Sequence, residues 1–119
     1  MEELPNEPGF GGSGIPLAVL AFIESVNGGD LDALAACFSE TAVILDGSRE
    51  FIGTSEIKAW ASRKVIHCRY RVLDSWPLPN GIRVLVISEA PAKKVFFVWY
   101  TFRVREYRII FADMQLVHG

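Results

Sequence analysis

The stretch Phe22–Trp60, FIESVNGGDLDALAACFSETAVILDGSREFIGTSEIKAW, decides the fold of this chain. Its Asn27-Gly28-Gly29-Asp30 corner separates two amphipathic helices: the glycines end the first, and Asp30 is placed to cap the second. The second helix is expected over Leu31–Phe38, burying Leu31, Leu34, Ala35 and Phe38. Thr41–Leu45 follows as an apolar strand that stops on Asp46. Gly47-Ser48 turns the chain, and Phe51 and Ile52 pair back. Gly53 then releases the backbone into a third helix, capped by Thr54 or Ser55 and running to about Val65, with Ile57, Trp60 and Ala61 facing inward. This order leaves one carboxyl, that of Asp46, at the rim of an otherwise apolar constellation.

Outward toward the N-terminus, Pro16 suits a first helical turn. The helix it opens reaches Asn27, with positions 17, 20 and 21 as its buried stripe. Residues 1–14, with Pro5, Pro8 and four glycines, read as a flexible arm or in part a cloning remnant, which leaves 15–119 as a single domain. Toward the C-terminus the period changes to that of strands, expected at His67–Asp74, Ile82–Ser88, Val95–Arg105 and Tyr107–Val117. Pro77-Leu78-Pro79-Asn80-Gly81 is the clearest turn. The tight Arg105-Glu106-Tyr107 corner lacks Gly, Asn or Asp and fits no preferred hairpin type. Helices first and long strands after make an α+β fold. The expected form is a curved mixed or antiparallel sheet wrapped as a cone around three N-terminal helices, with a pocket inside.

Val95–Arg105 is apolar on both faces. Phe96, Val98, Tyr100, Phe102 and Val104 form one set; Val95, Phe97, Trp99 and Thr101 form the other. A sheet with one wet face should alternate apolar and polar residues. A homodimer through the outer face, at Phe97 and Trp99, is the simplest cover for the second set, and a terminal arm folded over it is the alternative.

At 119 residues the chain is long enough to bury roughly two-thirds of the surface it would expose unfolded. Half its residues are apolar, and its net charge of −2 gives no reason to expect nucleic acid or an anionic membrane as partner. The charge is unevenly spread: residues 1–60 carry ten acids and two bases, residues 61–119 four acids and ten bases. Acidic helices lying across a basic sheet account for this, and an anionic partner on the strand-rich half is the other reading. Arg69, Arg71, Arg103 and Arg105 read as solvated edge charges. No apolar run approaches the roughly 20 residues of a membrane span. The acidic N-terminus is wrong for a secretory signal, so a reducing, cytoplasmic setting is expected. There Cys37 and Cys68 would be buried thiols rather than a bridge or metal pair.

Phe22…Asn27-Gly28-Gly29-Asp30-Leu31-Asp32-Ala33-Leu34, Phe38-Ser39-Glu40-Thr41-Ala42-Val43, Asp46, Gly53, Ile57 and Trp60 together resemble the nuclear transport factor 2-like superfamily, in particular its SnoaL-like and ketosteroid isomerase-like branches. The resemblance implies a cystatin-like cone, and it spans isomerases, cyclases, dehydratases, epoxide hydrolases and non-catalytic binding modules alike. It places Asp46 where the steroid isomerase-like members keep a general base beside a carbonyl. The tyrosine donor of those relatives falls on Phe22, which has no hydroxyl; their aspartic acid donor falls on Tyr100, which has one. The resemblance further implies a pocket walled by Phe22, Phe38, Ile44, Trp60, Val98, Phe102, Ala112, Met114 and Leu116, taking a small apolar carbonyl compound without metal or organic cofactor. Cyclase relatives place a His and an Asp on late strands. Here His118 lies at the very end, and by strand parity Asp113 points away from the expected pocket face of Ile110, Ala112, Met114 and Leu116.

Each candidate also has a plain structural reading. Asp46 begins Asp-Gly-Ser and suits a turn aspartate accepting backbone hydrogen bonds. Tyr100 suits a core tyrosine whose hydroxyl finds a backbone partner. His67, beside Cys68, reads as a neutral histidine at a strand entrance. No phosphate loop, nucleophile elbow or zinc spacing is present.

Overall fold

A computed structural model describes residues 14–117. Most of the expected N-terminal arm, and His118, lie outside that range. The elements run α1 (Leu17–Gly28), α2 (Leu31–Ala36), β1 (Phe38–Asp46), β2 (Arg49–Ile52), α3 (Gly53–Lys64), β3 (Arg69–Leu78), β4 (Gly81–Glu89), a short 3₁₀ turn, β5 (Val95–Arg105) and β6 (Arg108–Leu116). The strands form one curved sheet in the order β2-β1-β6-β5-β4-β3. β1 and β6 are parallel and every other neighbouring pair is antiparallel, so the α+β sheet is mixed.

Local chemistry explains most boundaries. Gly29 takes the left-handed conformation that closes α1, and the Asp30 carboxylate accepts the Ala33 N–H at 3.0 Å to open α2. α2 stops at Ala36 rather than Phe38, because Phe38 is already paired with Ile109 at the start of β1. Neither Thr54 nor Ser55 caps α3. Glu56 instead reaches back to accept the Ile52 N–H at 2.8 Å, satisfying a donor at the start of the helix. β3 continues through Pro77, which the sequence assigned to a turn. It is an edge strand, where a missing ladder donor is tolerated. The hairpin is then the two residues Pro79-Asn80, with Asn80 at φ 63°, the position that favours Asn or Gly in a type II turn.

The inner face of the sheet packs against α1 and α3. α1 buries Val19, Phe22, Ile23 and Val26 and leaves Leu17 exposed, so its buried stripe is displaced from the expected one. Val98, Tyr100 and Phe102 of β5 are buried on the same side, whereas Phe97 of the opposite set is 43% exposed. On β6, Ile110 has no partner across the ladder, forming a bulge that puts both Ile109 and Ala112 on the inner face. Ile110 therefore leaves the expected pocket face.

Asn27, at the end of α1, pins the exposed edge of β3. Its amide nitrogen donates to the Tyr70 carbonyl at 2.9 Å, and its amide oxygen accepts the Tyr70 N–H at 2.6 Å. One side chain thus stands in for a neighbouring strand at the place where an unpaired edge would begin. The exchange also fixes the backbone that carries the Tyr70 ring into the interior.

Candidate functional site

Asp46 ends β1 with its side chain 17% exposed. Trp60 and Lys64 stand four residues apart on α3, hence on one helical face, and both reach it. The Trp60 Nε1–H donates to Asp46 Oδ2 at 3.1 Å, and the Lys64 ammonium lies 3.6 Å from the same oxygen. Among the described residues no side chain hydrogen-bonds to Oδ1. The carboxylate is thus held along one edge by an indole and a cation, with its second oxygen available.

That carboxylate borders a cavity of about 240 Å³. Lys64 at the end of α3, Val65 and Cys68 in the turn after it, Tyr70 from β3, Ser88 from β4, Ala90 just beyond that strand, Phe96 and Val98 from β5, and Met114 and Leu116 from β6 complete its wall. Of the residues expected to line a pocket, Asp46, Val98, Met114 and Leu116 meet here. Phe22, Phe38, Ile44, Trp60, Phe102 and Ala112 are not in its wall and belong to the packed core layer, each fully or almost fully buried. Phe22 sits at the centre of that layer, 5.8 Å from Phe38, 5.5 Å from Tyr100 and 5.6 Å from Phe102 between ring centroids, each pair edge to face. Such contacts are worth about 0.5–1.5 kcal/mol each beyond the area they bury, and they fill the depth of the cone with side chains rather than space.

Tyr100 is buried in this layer and does not reach the cavity wall. Its hydroxyl lies 2.7 Å from that of Tyr70, which does. Burial is the main influence on both phenols and pushes each well above the ordinary tyrosine range, so both stay protonated at neutral pH. Two hydroxyls sharing one hydrogen bond leave one O–H proton uncommitted. With Tyr100 as donor, the free proton belongs to Tyr70, which lines the cavity.

Of the cavity residues that sequence reasoning missed, Tyr70 and Lys64 bear most on its chemistry; Val65, Cys68, Ser88, Ala90 and Phe96 are the others. Lys64 had a signal, its four-residue spacing from Trp60. Tyr70 stands between Arg69 and Arg71, and only strand parity with half-buried Val72 marks it as inward-facing.

The remaining candidates lie elsewhere. Asp113 is on the outer face opposite Thr101 and accepts a hydrogen bond from Gln115 at 3.3 Å. His67 is exposed in the turn before β3. Cys37 and Cys68 are unpaired thiols, and burial pushes Cys37 up to about 11. Among the described residues no cluster of three metal-ligating side chains forms, and no helix is long and apolar enough to cross a membrane.

No family model matches the chain, and no curated protein matches it by sequence. Solved structures do. A proposed polyketide cyclase of Sinorhizobium meliloti superposes with a TM-score of 0.77 at 22% identity, over 89% of this chain and all of that one. A Catenulispora acidiphila protein with a ketosteroid isomerase-like fold, in complex with trimethylamine, gives a TM-score of 0.74 at 15% identity over 85% of each chain. The orange carotenoid protein of Anabaena (Nostoc), binding canthaxanthin, gives 0.75 at 17% identity, over 86% of this chain but 36% of that one. At these identities the likeness is one of fold: the chain has the nuclear transport factor 2-like fold.

Proposed function

We propose that this nuclear transport factor 2-like chain binds a small, largely apolar carbonyl compound in the Asp46 cavity and moves a proton on it. One observation carries the reading: Asp46 and Tyr70 line the same cavity, the first with a carboxylate able to take a proton and the second with a hydroxyl able to donate a hydrogen bond. Asp46 removes a proton from the carbon beside the carbonyl, and the C–H electron pair passes into the enolate. Tyr70, backed by Tyr100, stabilises the oxygen on which that charge collects. Asp46 then returns the proton to a different carbon, an isomerisation, or the enolate carbon attacks a second carbonyl within the ligand, a cyclisation that ends with a proton on the new alkoxide. Trp60 and Lys64 keep the carboxylate in place throughout. Neither route needs a metal or organic cofactor.

At about 240 Å³ the cavity is below the range of roughly 300–1,000 Å³ usual for drug-sized ligands, which favours a compact substrate over a steroid. The proposed fold relatives bear on the ligand class only by analogy. Two free thiols suit a reducing compartment, and we place the protein in the cytoplasm on that ground.

The test is a screen of small ketones and enones by ligand-observed NMR, followed by turnover of each hit. Asp46→Asn should retain binding and lose about 10²–10⁴ in rate, the usual span for a general base. Unchanged turnover would remove Asp46 from the mechanism.

A second reading, a non-catalytic binding module of the same fold, is favoured by the filled interior. Phe22 supplies no hydroxyl, and Lys64 occupies the oxygen of Asp46 nearest to it. Hits that bind but never convert, in both wild type and Asp46→Asn, would select it. Under either reading we propose a homodimer through the outer sheet face around Phe97 and Trp99.

A further inference from the structure

The end of the sheet farthest from Asp46 carries a second group of polar side chains that the proposed chemistry does not use. Arg105 of β5 is paired directly with Arg108 of β6, and Arg103 precedes Arg105 on the same face. Like charges directly opposed across a ladder are destabilising. The two-residue loop between them, Glu106-Tyr107, has φ of 50° and 69°, a left-handed pair that ordinarily calls for Asn and Gly. The bulge at Ile110 then turns β6 just beyond the hairpin. Three departures from local preference thus fall within eight residues, all but Ile109 exposed or half-buried.

They surround open space. One hollow of about 310 Å³ is bordered by Arg105, Arg108 and Glu106, with the Ser39 and Thr41 side chains of β1. A second, of about 250 Å³, is bordered by Arg103, Arg105 and Asn80. Arg105 and Ile110 border both, so the two hollows share a wall. Among the described residues, none of the three guanidinium groups has a carboxylate within ion-pair distance or any hydrogen bond. The Ser39, Thr41 and Asn80 side chains likewise have no hydrogen-bond partner there. Among the residues that border the two hollows, three are cations and one, Glu106, is an acid.

We infer that this hairpin end is an anion site, in which Arg105 and Arg108 take a phosphoryl group of a small molecule and Arg103, Ser39, Thr41 and Asn80 supply further donors. Planar guanidinium forks pair two N–H groups with two oxygens of such a group, and the bound charge removes the repulsion that the Arg105–Arg108 pair otherwise carries. The site is compact rather than a stripe along the sheet, which matches a small phosphorylated ligand better than a nucleic-acid backbone. It shares no residue with the Asp46 cavity, so it stands or falls separately from the proposed reaction.

Titration calorimetry of the full chain with pyrophosphate, in chloride buffer of matched ionic strength, tests it. Wild type should bind saturably. Arg105→Gln/Arg108→Gln should weaken binding by about tenfold or more, the equivalent of one lost charge-assisted hydrogen bond. Arg69→Gln/Arg71→Gln, at the other end of the sheet, should bind as wild type does. In phosphate-free buffer the hairpin double variant should melt at or above the wild-type temperature, since it removes a like-charge pair. Absence of binding, or equal weakening by both double variants, would overturn the site. So would tighter binding of a single-stranded oligonucleotide that follows total charge, or a hairpin variant that melts well below wild type. Arg103→Gln alone provides the same comparison with the opposed pair left in place.

Discussion

The indole N–H of Trp60 donates to Oδ2 of Asp46 across 3.1 Å, joining the middle of α3 to the last residue of β1. The bond connects a fully buried ring to a carboxylate at a cavity rim, so the core itself sets the direction of the candidate base. Trp60→Phe keeps most of the ring volume and removes the donor. Hydrogen bonds to charged groups contribute about 1.5–3 kcal/mol, and the variant should lose stability in that range by urea denaturation. A double-mutant cycle with Asp46→Ala should recover a coupling of about 1–2 kcal/mol. Strict additivity of the two substitutions would mean that the bond holds nothing in solution.

The Tyr70–Tyr100 hydroxyl pair gives a pH signature. Burial raises both phenols above their ordinary value of 10.0, so at alkaline pH the unfolded chain gives up these protons while the folded chain keeps them. The unfolded state then binds fewer protons, and stability must fall as pH rises above about 10. Below that both states are protonated and the contribution is complete. The urea midpoint followed from neutral pH upward should decline for wild type, and the decline should flatten in Tyr70→Phe/Tyr100→Phe. Tyr100→Phe alone strands one buried hydroxyl and should cost about 1–3 kcal/mol at pH 7, more than the double replacement.

Elements marked by their own punctuation were legible in the sequence. Gly29 and Asp30 fix the first corner, Gly47-Ser48 fixes the β1–β2 turn, and Ile57, Trp60 and Ala61 were identified as the inner face of α3. Where one face is not distinguished from another, periodicity gave less. α1 is apolar nearly all round, so positions 17, 20 and 21 were as plausible a stripe as Val19, Phe22, Ile23 and Val26, which the sheet covers. The Tyr70–Tyr100 contact was beyond reach for a different reason. The two residues lie on β3 and β5 with β4 between them, and only the curvature of the sheet brings their hydroxyls together. Asp46 could be found because it ends an apolar run; its partners on α3 required knowing which way the helix faces.

The β5–β6 hairpin is an unrelieved local cost. Glu106 and Tyr107 both occupy the left-handed region, where side chains with a Cβ are strained, and both are exposed. Glu106→Asn/Tyr107→Gly supplies the residues that this loop geometry favours and should raise stability by about 1 kcal/mol, read as a higher melting temperature. Gly81 makes the contrast. A Cβ there would fall on the carbonyl oxygen of Phe102 in the adjoining strand, so Gly81→Ala should destabilise by about 1–3 kcal/mol although it also sits beside a turn. A destabilised first variant would show that the hairpin conformation is set by its surroundings rather than by its two central residues.

The outer face of the sheet carries a layer that water should not favour. Trp76 and Trp99 lie 5.1 Å apart between ring centroids, and the Arg83 guanidinium sits 4.2 Å above the Trp99 ring. Phe97 continues the apolar surface, while Leu85 and Ile87 pair with Trp99 and Phe97 from β4. Aromatic rings with an arginine among them are the composition of an interface centre rather than of a wet face. Sedimentation at micromolar concentration should therefore give a dimer, and Phe97→Lys should give a folded monomer with an unchanged far-ultraviolet spectrum. Trp99→Lys should act in the same direction but also release Arg83 and Trp76, so it should lower the melting temperature of the monomer as well. A wild-type monomer at that concentration would leave the aromatic layer without a symmetric partner and refute the dimer.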